Sequence, residues 1–183
     1  MRLSAVLGLL IVLVWALGAP AQEQKAESGH EASVLEKYRE LGGIEEFGVI
    51  TVSLTEKEQQ LGLIESELTD YVVQRITAKI AGMKHKDLAQ RRSPLHREKP
   101  EIWKKVGVLR CAIRTDDKQD TIYFDAQCEG GYYRNPRIWG DAIRGFVPRE
   151  NITFAVKKSL DEIVNGFART YFQAKGMPYD FGR

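Results

Sequence analysis

Residues 106–128 read VGVLRCAIRTDDKQDTIYFDAQC. Leu109, Cys111 and Ile113 alternate with Arg110, Ala112 and Arg114. After a polar break, Asp116-Asp117-Lys118-Gln119, the residues Ile122, Phe124, Ala126 and Cys128 alternate with Tyr123, Asp125 and Gln127. Side chains point to opposite faces of a strand in turn. Two period-two runs around a turn-rich break therefore predict an antiparallel hairpin with one buried face. The rest of the chain must cover that face.

Cys111 and Cys128 are the only cysteines, and alternation puts both on the apolar side of the hairpin. Register decides whether they meet. With the turn centred between Asp117 and Lys118, Cys111 faces Phe124 and Cys128 faces Gly107, too far apart to bond. Moving the turn centre by two residues sets the cysteines opposite each other and keeps the same faces inward. Such direct pairing is expected to need a longer turn or a bulge.

Upstream, residues 47–54 (FGVITVSL) are β-branched and alternating and predict a strand. Thr55 with Glu58 three residues on fits a capping box for a helical turn that stops at Gly62. Leu68, Val72, Ile76 and Ile80 then recur every four residues, with Ser66 as N-cap and Gly82 just past the end. Downstream, Gly130-Gly131 allows a bulge, and residues 132–147 supply one or two further strands around Asn135-Pro136. Asn151 caps a last helix with the stripe Val156, Leu160, Ile163, Val164, Phe167 and Tyr171, ended by Gly176 and Pro178. The triplet Asn151-Ile152-Thr153 also matches a glycosylation acceptor, and we read Asn151 as the cap. The fold class is α+β: a two-layer sandwich with a three- to four-stranded, mainly antiparallel sheet and two long amphipathic helices on one face.

The start of the chain is read as a secretory signal peptide, residues 1–21. Arg2 is the basic start, residues 3–17 are nearly all apolar, and Ala19-Pro20-Ala21 is a small-x-small site. The apolar run falls short of the roughly 20 residues a spanning helix needs. Export to the periplasm or outside the cell follows, where disulfides persist. Residues 22–46 are read as a mobile lead with one short helix (Val34, Leu35, Tyr38, Leu41), residues 47–176 as a single domain, and residues 177–183 as a loose tail.

Charge is nearly balanced, with 27 Lys and Arg against 25 Asp and Glu. That balance argues against a dedicated nucleic-acid binder. The exception is a Pro-broken connector, residues 84–105. It holds Lys84, Lys86, Arg91, Arg92, Arg97, Lys99, Lys104 and Lys105 against three acids, a formal +5. Such a segment is either a solvated loop or a contact for an anionic membrane surface. Catalytic signals are absent. The three histidines, His30, His85 and His96, lack metal-ligand spacing, and there is neither a phosphate loop nor a nucleophile elbow. Acid pairs such as Glu45-Glu46, Asp116-Asp117 and Asp161-Glu162 fall on turns or solvated faces. The aromatics Tyr132, Tyr133, Trp139 and Phe146 divide between core and a potential binding platform. No metal or cofactor is expected, and the residues favour a non-catalytic module that binds another envelope protein or itself over an enzyme.

The order Gly48-Val49-Ile50-Thr51-Val52, Leu61-Gly62-Leu63, a helix near residues 68–82, a hairpin, Ile138-Trp139 and a final helix with Phe167 and Tyr171 resembles a group of small exported bacterial domains of unknown function. More distantly, it is similar to the small α/β modules of envelope proteins of the TolB N-terminal type. The resemblance implies an α+β envelope domain and carries over no catalytic or binding residue.

Overall fold

The computed structural model describes residue 36 and residues 38–86, 105–118, 120–133 and 135–179. A 3-10 turn, Arg39–Gly43, precedes β1, Glu46–Ser53. Two helices follow, α1 at Glu56–Gln60 and α2 at Glu65–Lys79, then the short strand β2 at Lys84–His85. The strands β3, Val106–Lys118, β4, Thr121–Tyr132, and β5, Asn135–Pro148, lead through a 3-10 turn into α3, Ile152–Ala174. The expected signal peptide and most of the expected lead lie outside the described residues.

Among the described residues the sheet has five strands in the order β2-β1-β3-β4-β5. It is mixed: β1 runs parallel to both β2 and β3, while β3, β4 and β5 form an antiparallel meander. This corrects the expected three- to four-stranded, mainly antiparallel sheet. The reason is the crossover. Helix α2 carries the chain back along the sheet, so β2 starts level with the start of β1 (Glu46 beside Lys84), and β3 does the same (Glu46 beside Val106). Lys84 and His85, expected within a loop connector, are the edge strand.

The hairpin is longer than its apolar pattern. Asp116, Asp117 and Lys118 pair with Tyr123, Ile122 and Thr121, so the ladder runs to the Lys118–Thr121 pair. Ladder bonds use only the backbone, so polar residues extend a hairpin past the edge of the core. Ion pairs hold this extension: Asp116 with Lys57 and Lys118, and Asp117 with Arg149 at 2.7 Å. Gly131 sits at the expected irregularity between β4 and β5, where a Cβ would lie 2.2 Å from the Asn135 carbonyl oxygen.

One cluster of buried side chains joins the sheet and the two long helices. The α3 stripe Val156, Leu160, Ile163, Val164 and Phe167 is fully buried, as its spacing predicts, with Tyr171 nearly so. Asp161 on α3 binds Arg75 and Lys79 of α2, and the Arg75 hydrogen bond holds its carboxyl below the usual carboxylate range. The core starts earlier than expected. Leu41 and Ile44 are fully buried, and the Tyr171 hydroxyl donates to the Ile44 carbonyl at 2.9 Å, so the 3-10 turn ahead of β1 is part of the core. The tail is also partly tied down, Tyr179 stacking on Phe172 with ring centroids 5.2 Å apart.

Helix capping follows the sequence at one end only. Ser66 is not the N-cap of α2; Ile64 takes that position, and Asn151 ahead of α3 makes no side-chain cap bond. The Thr55–Glu58 box forms and does more than cap. Glu58 is 1% exposed, and its carboxylate accepts the N–H and hydroxyl of Thr55 on one oxygen and those of Thr115 on the other. It therefore bolts α1 to the end of β3. Burial alone would raise its pKa, but the bonds from Thr55 and Thr115 outweigh that and lower it. A group depressed in the fold contributes stability above its unfolded pKa, about 4.3, and loses it as pH falls through the folded value. Glu58→Gln is expected to cost about 1–3 kcal/mol at neutral pH and to flatten the acid limb of the stability profile. Urea unfolding at neutral and acid pH measures both; parallel profiles for variant and parent would show the carboxylate contributes nothing.

Candidate functional site: the open sheet face and the free β5 edge

The helices cover one face of the sheet. Leu109, Cys111 and Ile113 of β3, Ile122, Phe124, Ala126 and Cys128 of β4, and Trp139 of β5 are buried there. By alternation the intervening residues occupy the other face. Arg110, Arg114, Gln127, Gly140, Ala142, Arg144 and Phe146 are exposed on it, while Val106 and Val108 at the start of β3 are buried there. Asp125 sits at its centre, accepting the Arg144 guanidinium at 3.0 Å and the Gln127 amide at 2.8 Å on one carboxylate oxygen. Glu129 accepts Arg137 from β5 at 3.0 Å. Beside this polar network Tyr123 and Phe146 form an aromatic pair with centroids 5.2 Å apart, and Phe146 is 65% exposed.

Among the described residues, β5 is the outermost strand on this side and has β4 as its one neighbour. It spans 14 residues, of which only Trp139 is buried. A long edge strand presents a row of unpaired backbone groups and is a template for another strand. The mixed charges and the adjacent aromatic suit a protein surface, where an exposed aromatic enters a pocket and charged neighbours set orientation.

The aromatics expected to form a platform are divided by the fold. Phe146 reaches the open face. Trp139 turns inward against Phe167 with centroids 5.0 Å apart, and the Tyr132 hydroxyl donates to the Glu40 carbonyl oxygen. Tyr123 completes the aromatic pair; its parity opposite Ile122 and Phe124 is the signal that would have placed it there.

The connector cations that are described lie at the far edge of the sheet. Lys86 pairs with Glu46 at 2.9 Å and Lys105 with Glu45 at 2.6 Å. Lys84, with Lys105, Glu45, Glu46 and Gly82, lines a surface pocket of about 390 Å³ whose charges nearly balance. Arg91, Arg92, Arg97, Lys99 and Lys104 lie outside the described residues. The two cysteines lie on the buried face and are bonded, with S–S 2.03 Å and Cα–Cα 4.0 Å. They stand directly opposite, Cys111 against Cys128, in a ladder with neither bulge nor long turn. The expected need for one or the other is thus corrected, because the turn centre lies two residues later.

No protein-family model, curated protein or solved structure matches the chain. No helix among the described residues is long and apolar enough to cross a membrane.

Proposed function

We propose that this chain is an exported, non-catalytic binding and assembly module of the cell envelope, and that it docks through the open sheet face and the β5 edge. The observation that carries the reading is a 14-residue edge strand with one buried residue, bordering a face that bears the exposed Phe146 against a half-buried Tyr123. Strand addition supplies affinity through main-chain bonds, and flanking side chains supply selectivity. The apolar N-terminal run and the Cys111–Cys128 bond support an oxidising destination outside the cytoplasm. The resemblance to small exported envelope domains points the same way. Anionic lipid contact through residues 84–105 is the weaker reading, since Glu45 and Glu46 already engage two of its lysines.

Crosslinking in intact envelopes followed by purification tests this. The parent is expected to bring down a defined crosslinked product, and Phe146→Asp, at a half-solvated position, to reduce it at least tenfold while melting like the parent. A product equally abundant with Phe146→Asp would place docking elsewhere on the molecule.

A further inference from the structure

We propose that β5 pairs with β5 of a second copy of this chain, antiparallel and centred on Ala142, so that two five-stranded sheets become one across a twofold axis. This rests on the docking reading above and names its occupant.

Backbone direction comes first. Antiparallel pairs alternate between wide hydrogen-bonded positions, about 5.5 Å between Cα atoms, and narrow non-bonded ones, about 4.5 Å. At 4.0 Å the Cys111–Cys128 position is narrow, so the Cys128 backbone bonds toward β5, where its partner is Asp141. Alternation then turns the N–H and C=O groups of odd-numbered residues 139–147 toward β4, and those of even-numbered residues 140–146 away from the sheet. An independent contact agrees: the Ala142 N–H donates to the Asp141 side-chain Oδ1 at 2.8 Å, and not to β4. Four consecutive even positions, 140 to 146, thus offer a donor and an acceptor to a further strand.

Register comes next. A twofold axis through an extended sheet matches helix-facing residues with helix-facing residues, so it must pass through a residue and not between two. Centring on Asp141 sets Asp141 against its own copy, a like-charge pair, and puts Pro136, which lacks an N–H, across from Phe146. Centring on Ile143 puts Pro148 across from Ile138 and again deletes ladder bonds. Centring on Ala142 sets Pro136 against Pro148 at both ends, just outside the run. Positions 140, 142 and 144 then pair with 144, 142 and 140 of the second copy, about six main-chain hydrogen bonds in all.

Side chains fit this register. Arg144 lies across from Gly140 of the second copy, and Trp139 across from Gly145. Large groups meet small ones or apolar groups, and no like charges stand opposite. Gly140 and Ala142 are exposed in the single chain, so the approach is unobstructed. Asp141 acts as the guard of the free edge, occupying the central N–H until the second strand displaces its carboxylate.

The test is sedimentation of the exported full chain together with single-cysteine crosslinking, the native cysteines being locked in their own bond. The parent is expected to show a concentration-dependent dimer. Ala142→Pro, which leaves the β4 ladder intact, is expected to weaken it at least tenfold without lowering the melting temperature, and Asp141→Ala to tighten it. Ala142→Cys meets its own copy at the axis and is expected to give a covalent dimer on oxidation, whereas Phe146→Cys, far from its copy, is expected to give none. The Ala142→Cys result stands even if the proline variant misfolds. A parent that stays monomeric at the highest attainable concentration, or crosslinking through Phe146→Cys in place of Ala142→Cys, overturns self-pairing. If that monomer still loses its envelope crosslink with Phe146→Asp, the docking reading survives the loss of this one; if the crosslink is unaffected, both fall.

Discussion

Phe167→Ala is expected to cost about 3–5 kcal/mol, the range for deleting a large buried aromatic with partial relaxation of the cavity. Phe167 is fully buried. It is gripped edge-on by Phe47 at 5.7 Å and by Trp139 at 5.0 Å, so it links β1, α3 and β5 at one point. The fourth wall is the backbone itself: a Cβ on Gly130 would lie 2.7 Å from the Phe167 ring. That contact explains a glycine in mid-strand and makes the site hard to collapse, because β4 is held by neighbours on both sides. A loss of this size lowers the melting point by on the order of 10 °C for a domain of this length. Calorimetry of the variant measures it. A melt unchanged from the parent would mean that the α3 stripe is not the core of the fold.

Removing the Cys111–Cys128 bond is expected to cost about 3 kcal/mol, from the entropy of a loop with a sequence separation of 17. The paired variant Cys111→Ala with Cys128→Ala avoids leaving a lone thiol and keeps two small apolar groups on the buried face. The bond also pins register. Slippage of β4 by two residues keeps every side chain on its own face and is opposed by little else in the alternating pattern, so a covalent tie at one pair selects the register that ends on Lys118 and Thr121. Denaturant midpoints of parent and variant, each with and without reductant, separate the contributions. Reductant is expected to lower the parent midpoint to that of the variant and to leave the variant where it is. Equal midpoints for all four samples would show that the cross-link adds no stability.

Local chemistry alone determined much of this fold. Alternation at Leu109, Cys111, Ile113 and at Ile122, Phe124, Ala126, Cys128 assigns the buried face of the hairpin, because the period of a strand is a property of its own backbone. The α3 stripe and the Thr55–Glu58 box are equally local, each set within a few residues. The glycine stops are local as well: Gly62 and Gly176 adopt positive φ, where a side chain is strained. What the sequence could not decide were quantities set by long-range contact. Strand direction beside β1 depends on how far α2 carries the chain back. The pairing of Cys111 with Cys128 depends on a turn among polar residues that no buried contact selects. The burial of Leu41 and Ile44, and with it the start of the domain, depends on α3 arriving from the other end of the chain. The candidate site belongs to this second group. Phe146 is marked in the sequence only as one aromatic among four and Ala142 not at all, and the β5 edge exists only because four other described strands fill the opposite side of the sheet. An edge is a property of the assembled sheet, so only the tertiary structure reveals which backbone groups are left to pair.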